Sequence, residues 1–209
     1  VWGLGSADMK AGLALMWGLL DRPVEQPFCD LAFVFYDGEE GPYVGNGLGP
    51  LLEEARWLVD DTELAICLEP TDNTLQLGCL GTINATVRFA GRPAHSARPW
   101  QGENAIHKAA PVLTRLAAFE PKDYRYGPRD ELLFREVMSA TLADGGTARN
   151  AVPGRFELNI NYRYPPSKSA EEAEALVQEV CGGDAGLAEV EIVDHCPAGA
   201  VPEGNAALE

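Results

Sequence analysis

Histidine and lysine are scarce in this sequence, with three His and four Lys among 209 residues. Basic residues are also outnumbered: 32 Asp and Glu against 16 Lys and Arg leave a formal charge of -16. A surface of that sign repels a phosphate backbone and an anionic bilayer, so nucleic acid and membrane are not expected partners. No apolar run approaches the roughly 18 residues that span a membrane, and no basic flank followed by an apolar core marks a leader. The five cysteines, Cys29, Cys67, Cys79, Cys181 and Cys196, are scattered and form no Cys-x-x-Cys pair. They read as reduced, mostly buried thiols of a cytoplasmic protein. The opening, Val1-Trp-Gly-Leu-Gly-Ser-Ala-Asp8, lacks Met and reads as the interior of a domain, which makes a fragment the expectation.

What is present is organised around Leu31-Ala-Phe-Val-Phe-Tyr36, followed by Asp37-Gly-Glu-Glu-Gly41. An unbroken apolar run ending in a glycine-flanked acidic turn predicts a strand buried on both faces, with carboxylates at the edge where open α/β sheets place their chemistry. If the backbone stays extended there, Glu39 and Glu40 point to opposite sides and divide two roles. Glu63-Leu-Ala-Ile-Cys-Leu68 repeats the device and ends in Glu69-Pro70, where Pro70 keeps Glu69 out of a helix. Helices are predicted from near Asp8 (Leu13, Met16, Trp17 and Leu20 at helical spacing) and over residues 45–57. An Asp at a helix start is more often a cap than a ligand.

From about residue 80 the pattern changes. Ile83, Ala85, Val87 and Phe89 alternate, as do Phe156, Leu158, Ile160 and Tyr162, which predicts half-buried strands, with another over 137–143 and a last at 189–193. Helices are predicted over 103–119, kinked at Pro111, and from Ser169, where Glu172 completes a capping box. The order β-α-β-β-α-β is the ferredoxin-like arrangement. The fold class is therefore α/β: a partial doubly wound domain over residues 1–80, an inserted ferredoxin-like α+β domain over 81–193, and a return segment over 194–209.

Asp8, Glu40 and Glu69 come from three loops on one expected sheet edge. Carboxylates gathered without a nearby cation repel one another, which argues for a bound divalent metal. An all-oxygen set suits Mg or Mn, whereas zinc normally also takes His. Of the histidines, His107 reads as a packing or surface residue of a helix, and His195 follows the last strand. His95, in Arg92-Pro-Ala-His-Ser-Ala-Arg98, occupies a loop and lies near Arg98, a setting equally suited to polarising a carbonyl, binding a carboxylate or doing nothing.

Taken together, Gly5-Ser-Ala-Asp-Met-Lys-Ala-Gly12, Asp37-Gly-Glu-Glu-Gly41 and Leu68-Glu-Pro-Thr71 resemble the co-catalytic di-zinc amidohydrolases, a family that includes aminoacylases, acetylornithine deacetylase and glutamate carboxypeptidases. Gly91-Arg-Pro-Ala-His-Ser-Ala-Arg-Pro-Trp100, Asn104-Ala-Ile-His-Lys108 and Arg149-Asn-Ala-Val-Pro153 narrow the resemblance to its desuccinylases of the actinobacterial kind. Those enzymes remove succinate from N-succinyl-L,L-diaminopimelate in lysine and cell-wall precursor synthesis. The resemblance implies two zinc ions (Co or Mn as substitutes), with Asp8 bridging, Glu40 on one metal and Glu69 on the other. It implies Glu39 as the general base toward a metal-bridging water. It further implies a homodimer formed through the inserted domain, His95 reaching into the partner's active site, and Asn150 and Arg163 as substrate contacts.

Two departures stand out. An upstream His-x-Asp segment and a C-terminal His ligand of the family are absent, so this chain alone is expected to bind zinc weakly and turn over little. At Gly78-Cys-Leu-Gly81, Leu80 stands where some desuccinylases carry an Arg for the succinyl carboxylate, and Arg98 is the candidate replacement. The alternatives are a related N-acyl-amino-acid deacylase or metallopeptidase, sharing Asp8, Glu39, Glu40 and Glu69, or a non-catalytic dimerisation fragment.

Overall fold

The structure is a computed structural model and describes residues 2–22, 29–127, 131–182, 187–201 and 205. By its own contacts the chain divides into one unit over residues 1–76 and 204–209 and another over 77–203.

In the first unit, α1 (Lys10–Asp21) is followed by a 3-10 turn (Tyr43–Gly45), α2 (Leu48–Glu54) and α3 (Trp57–Asp60). The single helix expected over 45–57 is thus replaced by short pieces. The two buried strands expected at 31–36 and 63–68 do not form: both stretches are irregular and unpaired. Leu31, Phe35 and Ile66 are 57%, 49% and 65% exposed. The physical reason is that a strand has no internal hydrogen bonds, so its backbone groups and both apolar faces need neighbours. No strand lies beside either stretch among the described residues.

The second unit builds a complete layer pair. Its strands are β1 (Gly78–Cys79), β2 (Gly81–Ala90) and β3 (Ala94–His95), then α4 (Ala105–Lys108) and α5 (Ala110–Ala117). After these come β4 (Lys122–Tyr126), β5 (Leu132–Gly145), β6 (Ala151–Val152), β7 (Arg155–Tyr164), α6 (Ala170–Gly182), β8 (Glu189–Cys196) and β9 (Gly199–Ala200). The main sheet is antiparallel with order β4-β5-β7-β2-β8. Without β4 it is the ferredoxin-like order of four strands and two helical segments read from the sequence. Alternation in β2 sends Ile83, Ala85, Val87 and Phe89 inward, and β7 sends Phe156, Leu158, Ile160, Tyr162 and Tyr164 to the same core. Ala105, Ala109, Val112, Leu116, Ala173, Val177 and Cys181 close it from the helical side.

The kink expected at Pro111 is a break. α4 ends at Lys108 and α5 restarts with Pro in its first turn, where a missing N–H costs no hydrogen bond. β4 was not legible as a strand, since Lys122-Asp-Tyr-Arg-Tyr126 carries only two apolar side chains. The capping box forms as read: the Ser169 N–H donates to Glu172 Oε2 at 2.8 Å and the Glu172 N–H to Ser169 Oγ at 3.2 Å. Ser169→Ala should therefore cost about 1 kcal/mol, read as a lower denaturant midpoint at unchanged slope.

Candidate functional site

The carboxylates of the first unit are brought together by a close helix contact. Gly12 of α1 is buried, and a Cβ there would lie 2.6 Å from the Leu68 carbonyl oxygen. That approach sets the residues before α1 beside those after Leu68. The Asp8 side chain does not cap α1; the helix has no side-chain cap. It is instead hydrogen-bonded to Glu69. Glu39 and Glu40 lie in a turn closed by the Gly41 N–H donating to the Gly38 carbonyl at 3.1 Å, with Gly38 at φ +71°. The backbone there is turned rather than extended, so strand alternation does not separate their roles. Beyond Pro70, the chain reverses at Asp72 and Asn73, both at positive φ (52° and 58°), between Thr71 and Thr74, which exchange side-chain-to-carbonyl bonds of 2.6 Å.

The result is a concentration of like charge. Partial burial first, then the charges of Glu39, Asp8 and Glu40 and the hydrogen bond with Asp8, hold the Glu69 carboxyl above its ordinary value. Burial, with Cys67, Glu39 and Glu69 nearby, likewise pushes the Tyr36 hydroxyl up. This donor set fits a divalent cation in charge, because carboxylates close together with no cation beside them repel one another, and a divalent cation removes that repulsion. It is short in number: among the described residues no three His, Cys, Asp or Glu side chains converge closely enough to hold a metal. All three histidines fall in the other unit.

In the second unit, His95 and Asn150 are neighbours. β3 pairs with β6, placing His95 opposite Ala151, and the Ser96 N–H donates to the Asn150 carbonyl at 2.9 Å. His95 Nδ1 accepts the Ala97 N–H at 3.1 Å. The neutral ring therefore carries its proton on Nε2, which suits donation to a developing oxyanion. Arg98 joins the same loop, its N–H bonded to the His95 carbonyl at 2.8 Å, and all three side chains are exposed. Arg163 is elsewhere. β2 and β7 run from Ala90 opposite Arg155 to Gly81 opposite Tyr164, so the His95 loop leaves one end of the sheet and Arg163 sits near the other. Eight residues of strand separate Arg155 from Arg163, about 26 Å.

Two polar clusters were not read from the sequence. Glu136, 1% exposed, accepts from Tyr124 at 3.0 Å and also from Tyr162 and Lys168. His195 bridges Tyr164 (Nε2 to Oη, 2.7 Å) and Glu174 (Nδ1 to Oε1, 2.8 Å). Neither has a local sequence signal, because the partners of Glu136 lie 12, 26 and 32 residues from it and those of His195 lie 21 and 31 residues from it. The cysteine expectation is corrected: Cys29, Cys67 and Cys79 are exposed and only Cys181 is buried. Burial pushes the Cys181 thiol up to about 11, so it stays protonated and inert.

A ferredoxin-like sheet with both helical connections on one face defines the class. Residues 78–186 match the peptidase dimerisation domain of the M20 type, and the chain belongs to that family. Among its relatives is a Mycobacterium tuberculosis protein provisionally named succinyl-diaminopimelate desuccinylase DapE, 40% identical over 182 residues, or 87% of this chain and 50% of the relative. The succinyl-diaminopimelate desuccinylase of Corynebacterium glutamicum is 34% identical over 83% of this chain and 46% of its own length. The chain thus spans about half the length of the curated relatives it matches. The crystal structure of aminopeptidase PepT from Bacillus cereus shares the fold at a TM-score of 0.61 and 20% identity, over 97% of this chain and 52% of that one. No helix among the described residues is long and apolar enough to cross a membrane.

Proposed function

We propose that this chain is part of a metal-dependent amidohydrolase that releases succinate from N-succinyl-L,L-diaminopimelate and works as a homodimer. The observation that carries the reading is the nearness of Asp8, Glu39 and Glu40, from two separated stretches, to the Glu69 carboxyl of a third, whose proton affinity partial burial and then their charges raise. The identity to desuccinylases over 87% of the chain supports the substrate.

Asp8, Glu40 and Glu69 would hold the metal, with zinc as the expected ion and histidines outside this chain as the remaining ligands. A divalent cation held there supplies Lewis acidity toward the scissile carbonyl and toward water. Glu39 takes the proton from the attacking water and returns it to the departing amine. His95, protonated at Nε2, donates to the oxyanion in the partner protomer's site, and Asn150 and Arg163 bind substrate. Arg98 takes the succinyl carboxylate in place of the arginine absent at Leu80.

The test is a substrate panel on the zinc-loaded dimer: N-succinyl-L,L-diaminopimelate against N-acetylornithine, N-acyl amino acids and peptides. Preference for the succinyl substrate supports the reading, and preference for an acetyl or peptide substrate replaces it with a sister deacylase or peptidase. Arg98→Ala should raise KM for the succinyl substrate about tenfold with kcat little changed, the result of losing one charge-assisted contact made before the chemistry. An unchanged KM would remove Arg98 from the site.

A further inference from the structure

The face of the main sheet turned away from the helices carries an unbroken ladder of neutral polar side chains that ends on Arg163. Asn159 Nδ2 donates to Thr141 Oγ1 at 2.7 Å and approaches Asn84 Oδ1 at 3.4 Å. Asn84 Oδ1 accepts from Asn161 Nδ2 at 3.0 Å. Asn161 Oδ1 in turn accepts from Arg163 Nε at 3.0 Å, and Thr82 Oγ1 accepts from Arg163 Nη1 at 2.6 Å. Register explains the pattern, since Arg163 lies opposite Thr82 on one side and Val137 on the other, and Asn161 lies opposite Asn84. The ladder also fixes the Asn161 amide: arginine only donates, so Oδ1 must face it and Nδ2 must face Asn84.

Arg163 differs from other arginines of these strands. Arg88 pairs with Glu157 and Glu191, Arg155 with Glu157, and Arg135 with Asp123. Arg163 is exposed and has no carboxylate within ion-pair distance among the described residues; both its acceptors are uncharged. Two of five guanidinium N–H groups are thus tied to neutral oxygens, which holds the plane of the fork without cancelling its charge. One Nη1 and two Nη2 hydrogens remain, a geometry that takes a carboxylate end-on through both terminal nitrogens.

We propose that Asn161 and Thr82 are positioning residues that pre-orient Arg163 as a carboxylate fork, so that substrate binding does not have to order the side chain. This rests on the reading of Arg163 as a substrate contact. An aspartate at 161 would fit the same space and pair with Arg163, so the choice of an amide over an acid is what keeps the charge available.

The test follows the Arg163 Nε–H resonance in the ¹⁵N-arginine-labelled chain, assigned by its loss in Arg163→Lys, while succinate or L,L-diaminopimelate is added as separate probes. The expected wild-type signal is sharp, slow to exchange with water and shifted by the probe whose carboxylate it binds, which tells the acyl end of the substrate from the amino-acid end. Asn161→Ala should broaden the signal and weaken that probe about tenfold. Asn161→Asp should keep the signal sharp yet weaken the probe more, and Thr82→Ser should behave as wild type while Thr82→Val does not. The Asp and Ser variants, with thermal midpoints near wild type, separate orientation from folding. Wild-type probe affinity in Asn161→Ala, with binding lost in Arg163→Lys, overturns the positioning role and leaves Arg163 a contact. A wild-type signal that neither probe moves overturns the contact and this inference together, and leaves the metal-site reading standing.

Discussion

Glu39→Gln should lower turnover by about three orders of magnitude in the metal-loaded dimer while leaving metal content unchanged, whereas Glu40→Ala should lose metal. The two residues are adjacent and occupy the same turn, closed by the Gly38 carbonyl and the Gly41 N–H. Both add to the field that raises Glu69. Proximity does not distinguish them, so chemistry must. Gln preserves the shape of Glu39 and removes only its basicity, so a general base is lost without a change in packing. Removing the carboxylate of Glu40 takes a negative oxygen from a donor set already short of ligands among the described residues. Metal analysis beside a succinate-release assay checks both. Equal metal loss in the two variants would overturn the division of labour.

Glu136→Ala is expected to destabilise the second unit by about 3–5 kcal/mol, the effect of stripping one partner from a buried charge pair. Lys168 would be left with its side chain 19% exposed and no carboxylate, and Tyr124 and Tyr162 would lose their acceptor. Glu136→Gln, which keeps the acceptor oxygen, should cost about half as much. Burial by itself pushes the Glu136 carboxyl up, but the hydrogen bonds from Lys168, Tyr162 and Tyr124 and the Lys168 charge outweigh it and hold the carboxyl below its ordinary value. Between the folded and unfolded values the folded state binds fewer protons, so this contribution is present above about pH 4.5 and fades as pH falls through the folded value. Denaturation of wild type and Glu136→Gln between pH 7 and pH 3 should show the gap between them closing. A constant gap would mean the ion pair is not its source.

The two units differ in how much their sequences disclosed. In β2 and β7 a period of two over ten residues specified strand, face and core at once, because each buried side chain needs only its immediate ladder neighbours to be satisfied. Ser169 and Glu172 specified a helix start within four residues for the same reason. In the first unit an equally strong apolar signal at 31–36 gave no strand, since that signal states a need for neighbours on both edges and faces without supplying them. Residue identity nevertheless marked carboxylates there, of which Asp8, Glu39 and Glu40 lie near enough to Glu69 to raise its proton affinity, because charge type survives a change in backbone path.

The sequence by itself therefore determined the ferredoxin-like order of the second unit, the acidic character of the first and the identity of its carboxylates, all of which are carried by local periodicity or residue chemistry. The tertiary structure alone decided that Asp8 meets Glu69 rather than capping α1, that His95 lies beside Asn150, and that Arg163 rests on Asn161 and Thr82. Apart from the Asn161–Arg163 bond within β7, those contacts join residues far apart in the chain. They depend on a helix approach allowed at Gly12 and on ladder register, which no local pattern encodes.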